Sequence, residues 1–330
     1  MSHSFVSLKL VLSSLLLCIL VSCQDKDDEV YIFSSFHEPS ISGLMYLYSE
    51  DGFHWDTIPG VFMKPEIGMD TTHIDVFRGN EIEPKYYPGA KVLRDPSITQ
   101  GPDGTFHMVW TIQWFGAKGF GYASSKDLKN WSEQRIINVM QNHPTNNVWA
   151  PEIFYDDVRD QYLIIWASQI APSCYTAADS LGCNASNRLW YCITKDFKTF
   201  TDASPYYDPG FNSIDGYLLK RSCNDYVLIV KDNRKPGHSN LFCAFSESPY
   251  GPFENPSENF GRTYSEGPCA IQIGDEWIIY YDQYRPQEYG AVSTTDFKTF
   301  TPIPERISIP AKHKHGSIIK VKRSILNKLL

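Results

Sequence analysis

Ser49-Glu50-Asp51-Gly52-Phe53-His54-Trp55 returns as Ser125-Lys126-Asp127-Leu128-Lys129-Asn130-Trp131, as Thr194-Lys195-Asp196-Phe197-Lys198-Thr199-Phe200 and as Thr294-Thr295-Asp296-Phe297-Lys298-Thr299-Phe300. A degenerate copy, Ser246-Glu247-Ser248-Pro249-Tyr250-Gly251-Pro252-Phe253, precedes the last. Each copy is a polar turn that ends in an aromatic residue. Each follows a short apolar run, at residues 44–48, 121–123, 189–193, 241–245 and 289–292. Short strands and polar turns repeating every ~50 residues predict the blades of a β-propeller, one radial sheet per repeat. The expected fold class is all-β, a five-bladed β-propeller.

A second series runs in step with the first. Arg94-Asp95-Pro96-Ser97-Ile98 is followed, one repeat apart, by Trp149-Ala150-Pro151-Glu152-Ile153, Ser213-Ile214-Asp215-Gly216-Tyr217, Ser265-Glu266-Gly267-Pro268-Cys269 and Lys314-His315-Gly316-Ser317-Ile318. Each opens a strand beside Pro or Gly. We read residues 95, 152, 215, 266 and 315 as one ionisable slot per blade. The first strand of a blade lines the axis, so four carboxylates and one imidazole are expected to converge there. Four blades read as complete. The fifth takes residues 30–36, 44–49 and 61–62 from the N-terminal side and its inner strand, residues 315–321, from the C-terminal side. Closure by strands from both termini removes open sheet edges.

Composition agrees. Aromatic residues make up 14% of the 330, with 21 Gly and 21 Pro, the material of strands and turns. No long stretch has helical periodicity. A net charge of −8 argues against nucleic-acid binding, which wants a basic stripe. The basic tail beyond Lys322 is expected to fray.

The N-terminus reads as a targeting segment. Lys9 precedes an apolar run at 10–21, too short to span a bilayer. The run ends in Leu20-Val21-Ser22-Cys23, similar to a bacterial lipobox. The expected organisation is a lipoprotein signal peptide at 1–22, lipidation of Cys23, an acidic tether at 23–29 and a propeller domain at 30–330. That places the protein in the cell envelope of a Gram-negative bacterium, touching the membrane only through its lipid, and as a monomer. Cys174 and Cys183 bracket a polar loop that a disulfide could close. Cys192, Cys243 and Cys269 sit in apolar strands and pack as small hydrophobes. The spacing holds no CxxC pair, against a zinc site.

Carboxylates converging on one pocket are what glycosidic cleavage requires: one activates water, one protonates the leaving oxygen, and a third tunes the acid. Here the chain resembles glycoside hydrolase family 43, five-bladed propeller enzymes acting on arabinosides and xylosides. The resemblance spans about residues 30–321 and rests on Arg94-Asp95-Pro96, Trp149-Ala150-Pro151-Glu152, Ser213-Ile214-Asp215, Glu266-Gly267-Pro268 and His315-Gly316. It implies that Asp95 is the general base, Asp215 the carboxylate that tunes the acid, and Glu266 the general acid. His315 matches an axial histidine facing a central water or a metal ion such as calcium; no cofactor is required for the chemistry. Glu152 reads as structural or substrate-facing. Trp149 and Trp114 are candidates to stack on a sugar, and Arg285, with Tyr284 and Lys231-Asp232-Asn233, to edge the pocket. Arg94 points to the face opposite Asp95 and is expected to pair between blades.

The resemblance implies an inverting exo-glycosidase acting on plant cell-wall fragments, an alpha-L-arabinofuranosidase or beta-xylosidase whose partner is an arabinose- or xylose-containing oligosaccharide. An endo-arabinanase, a galactan-active hydrolase and a non-catalytic glycan-binding lipoprotein are the alternatives. A binder, however, need not keep base, tuner and acid together.

Overall fold

A computed structural model describes residues 28–69, 71–78, 81–169, 187–234, 238–285 and 287–330. The signal peptide, Cys23, most of the tether, and Cys174 and Cys183 lie outside the described residues.

The chain is nearly all strand. Five small sheets are arranged as a five-bladed propeller. Blade 5 opens the described chain with β1 (Glu29–His37), β2 (Leu44–Ser49) and β3 (Asp56–Met63). A two-stranded hairpin, β4 (Thr71–Arg78) and β5 (Glu81–Ala90), follows and joins no blade. Blade 1 holds β6 (Arg94–Gln100), β7 (Phe106–Thr111), β8 (Gly119–Ser125) and β9 (Arg135–Asn138). Blade 2 holds β10 (Trp149–Asp156), β11 (Gln161–Gln169), β12 (Asn187–Thr194) and β13 (Ser204–Tyr207). Blade 3 holds β14 (Ser213–Ser222), β15 (Asp225–Asp232) and β16 (Leu241–Ser246), with single bridges at Glu254 and Phe260 in place of a fourth strand. Blade 4 holds β17 (Ser265–Ile273), β18 (Glu276–Gln283), β19 (Glu288–Thr294) and β20 (Thr301–Pro302). Then β21 (His313–Lys314) and β22 (Ile318–Lys322) return to pair with β1. The ring closes by strands from both ends of the chain, as the repeat predicts.

The core is five slabs, one between each pair of neighbouring blades. Strand alternation explains why. In β11, Tyr162, Ile164 and Trp166 face blade 1, while Leu163, Ile165 and Ala167 face blade 3. β15 splits the same way, with Leu228 and Val230 toward blade 2 and Val227 and Ile229 toward blade 4. A middle strand buried on both faces reads as a continuous apolar run, which is how these stretches look in the sequence.

The repeated turn is built on its Asp. Asp196 Oδ1 accepts from the Lys198 and Thr199 amides at 2.8 and 2.9 Å, and Asp296 Oδ1 accepts from Lys298 and Thr299 at 2.8 Å each. Asp51 and Asp127 do the same. The residue after the Asp is left-handed in all four turns: Gly52, Leu128, Phe197 and Phe297, with φ of 77°, 61°, 53° and 56°. Leu128, Phe197 and Phe297 are buried between blades. Burial of a large side chain, ~1.5–3 kcal/mol, offsets the ~1–2 kcal/mol that such a backbone costs a non-glycine residue. The packing anchor is thus this position as much as the closing aromatic; of the latter, Trp55 and Phe253 are buried and Trp131 and Phe300 only partly so.

The tail does not fray. Residues Arg323–Leu329 form a short helix, α1. Its Leu326 and Leu329 enter the slab between blades 5 and 1, and Arg323 pairs with Asp28 and Glu50. An apolar pair three residues apart on seven residues is too short a signal to register as helical periodicity.

Candidate active site

Every inner strand carries a β-bulge near its start, and the bulges set the site. In β6 the register shifts between Arg94 and Ser97, in β10 between Trp149 and Glu152, in β14 between Ile214 and Tyr217, and in β17 between Glu266 and Cys269. In blade 5 the same shift falls between Lys314, opposite Phe36, and Ile318, opposite Phe33. A bulge re-aims the side chain it carries. The bulged residue is left-handed in four blades: Asp95 (φ 51°), Ala150 (φ 44°), Asp215 (φ 53°) and Gly267 (φ 58°). His315 holds the corresponding place in blade 5.

This register corrects the single slot of the sequence pattern. Asp95, Asp215 and His315 are equivalent. Glu266 stands one position earlier, level with Arg94, Trp149, Ile214 and Lys314. Glu152 stands two positions later, level with Ser97. The residues truly equivalent to Asp95 in blades 2 and 4 are Ala150 and Gly267. Pattern matching aligned the acidic letters; the bulge aligns the backbone, and the two differ by one or two residues.

Gly267 is required twice over. Its φ is positive, and a Cβ there would lie 2.4 Å from Cγ of the His315 ring. Blade 4 leaves its bulge place open so that the imidazole of blade 5 can occupy it.

Asp95, Ser97, Glu152, Asp215, Tyr217 and His315 surround one axial cavity with about 10 Å³ of free space, room for about one water. His315 Nδ1 lies 3.3 Å from Asp95 Oδ1. The Thr111 hydroxyl donates to Asp95 Oδ2 at 2.8 Å and accepts from the Ala150 amide at 2.8 Å, which ties blade 1 to blade 2. Burial alone would raise the Asp95 carboxyl, but the His315 charge and hydrogen bond outweigh it and hold Asp95 at about 2. Burial opposes charge on His315; Asp95 first, with Asp215 and Glu266 behind it, raises the imidazole to about 9. Below that pH the pair is therefore a carboxylate against an imidazolium.

Asp215 Oδ2 accepts from the Gly267 amide at 3.1 Å, joining blades 3 and 4. Burial pushes its carboxyl up; His315 and Lys231 oppose this, and Glu266 and Asp95 reinforce it. Lys231 Nζ stands 2.7 Å from Glu266 Oε2, with the lysine side chain 2% and the glutamate side chain 23% exposed. Burial would raise Glu266 too, but Lys231 and then Lys314 outweigh it and bring it below the ordinary glutamate range. Lys314 Nζ in turn lies 2.5 Å from Asp282 Oδ2, whose carboxyl burial still pushes up to about 6. Glu38, Asp282, Lys231 and Lys314 thus belong to the charge network around the site. The sequence gives Lys231 only as an edge residue and the other three not at all, because their importance comes from register with neighbouring strands.

Arg94 pairs across the blade seam, as expected, with Glu38 at 3.0 Å, and its guanidinium is sandwiched between the Phe36 and Trp114 rings at 5.0 and 4.8 Å. Trp149 gives its indole N–H to the Trp114 carbonyl at 2.5 Å and packs against Phe115. Both tryptophans therefore have packing duties, with Phe115 exposed beside them. Glu152 is buried at the axis and accepts from the Ser97 hydroxyl at 2.7 Å; burial pushes its carboxyl up to about 8. It stays neutral near pH 7 and lines the same cavity as Asp95, Asp215 and His315. Arg285 lies over the Tyr264 ring at 5.2 Å. His313 turns away to His37 and Ser35. Cys192, Cys243 and Cys269 are buried and free, as small hydrophobes.

Among the described residues no group of three or more His, Cys, Asp or Glu could hold an ion, so an ion facing His315 would have to take water or carbonyl oxygens as its other ligands. No step below uses one.

A family model for a probable glycosyl hydrolase domain, of the glycoside hydrolase family 43-related kind, matches residues 80–326. An alpha-L-arabinofuranosidase of Bifidobacterium longum subsp. longum is 26% identical over 113 residues, 32% of this chain; the chain spans only 11% of that protein. Among solved structures, a thermostable family-43 glycoside hydrolase superposes with a TM-score of 0.54 at 13% identity, covering 73% of this chain and 82% of the other. The alpha-L-arabinanase of Cellvibrio cellulosa superposes with a TM-score of 0.53 at 16% identity, covering 86% and 95%. At these identities the two structures establish likeness of fold.

Proposed function

The chain belongs to the glycoside hydrolase family 43-related family, and from that premise we propose that it is an inverting glycosidase acting on arabinose- or xylose-bearing oligosaccharides. The observation that carries the proposal is the placement of Asp95 and Asp215 on equivalent bulges, with Glu266 on the next inner strand and the Gly267 amide bonded to Asp215. Asp95, ionised at any working pH, takes a proton from water as its oxygen attacks the anomeric carbon. The glycosidic C–O bond breaks, and Glu266 gives its proton to the leaving oxygen. Asp215 adjusts the proton affinity of Glu266 by its proximity. We place the enzyme in a bacterial envelope, tethered through Cys23 and monomeric, on the strength of the lipobox-like leader.

A second reading exchanges two roles. Lys231 lowers the proton affinity of Glu266 while burial raises that of Asp215, and in this reading Asp215 is the acid. The test is an assay on aryl arabinofuranoside, xyloside and galactoside and on arabino-oligosaccharides, with Glu266→Gln and Asp215→Asn. Loss of the true acid lowers turnover about 10²–10⁴-fold on oligosaccharides and far less on an aryl leaving group. If neither variant shows that split, or the wild type cleaves nothing while still binding oligosaccharide, the enzyme proposal fails. Proton NMR of the first-formed anomer tests inversion.

A further inference from the structure

Lys231 is a buried lysine at the end of an apolar run, Val227–Val230, in β15. Its backbone sits in β15 opposite Ile214, next to the bulged Asp215. Its ammonium is enclosed by the Glu266 carboxylate at 2.7 Å and by the Tyr284 ring, whose centroid is 4.6 Å away. Tyr284 is itself placed by its amide bond to the Tyr264 carbonyl and by its hydroxyl contact with Ser239. A lysine stem in this core position could be an apolar residue like its strand neighbours Ile229 and Val230. Burying an ammonium costs several kcal/mol that a well-packed apolar residue avoids, so the charge has another purpose.

We propose that Lys231 is a positioning residue for the reaction: its ammonium holds the Glu266 carboxylate in place and sets the pH at which Glu266 carries a proton. The inference rests on Glu266 being the acid. The other charged groups that bear on Glu266 are Asp215 on β14, Asp282 on β18, Lys314 on β21, His315 and Arg94 on β6. Lys314 has Asp282 as its own partner and Arg94 has Glu38. Among the described residues, Lys231 is the one cation whose ion pair is with Glu266. With that pair in place Glu266 titrates low and the alkaline limb of the rate profile lies on the acid side. When an incoming sugar covers the carboxylate, loss of water raises its proton affinity against the lysine's pull.

The test is Lys231→Met and Lys231→Arg, each checked for folding by thermal unfolding. On arabino-oligosaccharide, Lys231→Met should move the alkaline limb of kcat/KM upward by about 1–3 pH units, whereas Lys231→Arg should leave it within about half a unit, since its charge is kept. An unmoved limb in Lys231→Met, or a moved one in Lys231→Arg, overturns the proposal. Should Lys231→Met not fold, Lys231→Gln keeps a polar stem without the charge, and the same limb must move upward. A second readout needs no substrate. Glu266 contributes stability that is present above its ordinary titration range and lost as pH falls through its lowered folded value. The unfolding midpoint of Lys231→Met should therefore fall further below wild type at pH 7 than at pH 4. An equal deficit at both pH values overturns the inference even if no substrate is found; a Glu266→Gln enzyme with full activity on oligosaccharides overturns the acid assignment instead.

Discussion

His315, on the C-terminal segment that closes blade 5, meets Asp95 of the neighbouring blade 1, Nδ1 to Oδ1 at 3.3 Å. Each holds the charged form of the other. The His315 value of about 9 lies above the ordinary histidine, so its share of stability is full below pH ~6.5 and lost as pH rises through 9. The Asp95 value of about 2 lies below the ordinary aspartate, so its share is present above pH ~4 and lost as pH falls through 2. The difference in unfolding midpoint between wild type and His315→Asn should be widest between pH ~4 and 6.5 and shrink toward pH 9. A difference that does not vary with pH would mean that the pair is not charged.

Gly267→Ala tests the opening that blade 4 leaves for the imidazole. The added methyl meets the His315 ring at 2.4 Å on a backbone with φ of 58°. Overpacking and backbone strain together should cost about 2–4 kcal/mol, read by denaturant unfolding. Gly274→Ala is the control: its φ is 60° but its Cβ would meet nothing within 4 Å, so it should cost only the backbone share.

Glu152→Gln should stabilise the protein at neutral pH. The folded value of about 8 is raised by burial from near 4.5, so the wild type loses stability as pH rises from ~4.5 through 8. Glutamine can still accept from Ser97 and does not titrate. The variant's unfolding midpoint should gain on wild type steadily across that window and level off above it. Cleavage of arabino-oligosaccharide should stay within about threefold of wild type, because glutamine keeps the shape of the neutral carboxyl and its bond to Ser97; a loss of 10²-fold or more would give Glu152 a catalytic role.

The C-terminal helix is a structural part of the ring. Leu326→Ala should cost about 2–5 kcal/mol, since Leu326 is buried in the slab between blades 5 and 1. Removal of residues 323–330 should cost at least as much by thermal unfolding, and an unchanged midpoint would restore the frayed tail.

The propeller was legible because its repeat is physical. The Asp of each turn must accept two amides, so Asp51, Asp127, Asp196 and Asp296 cannot drift. The site was legible only in outline. Asp95 and Asp215 sit on equivalent bulges of two blades and match in sequence, but Glu266 and Glu152 fell into the same series by letter alone, one position early and two positions late. Lys314, Asp282 and Glu38 left no signal, since each acquires its partner from another blade. The β4–β5 hairpin and the terminal helix were missed because neither belongs to the repeat.

The seam has a consequence for synthesis. His315 lies near the C-terminal end of the chain, yet it fills the place opened by Gly267 and sets the charge of Asp95. A nascent chain still lacking β21 and β22 has Asp95, Asp215 and Glu266, but no imidazole against Asp95 and no closed ring. The axial charge pair therefore forms only once residues 313–322 have been made, and a product terminated before them would carry the carboxylates without the imidazole that faces Asp95.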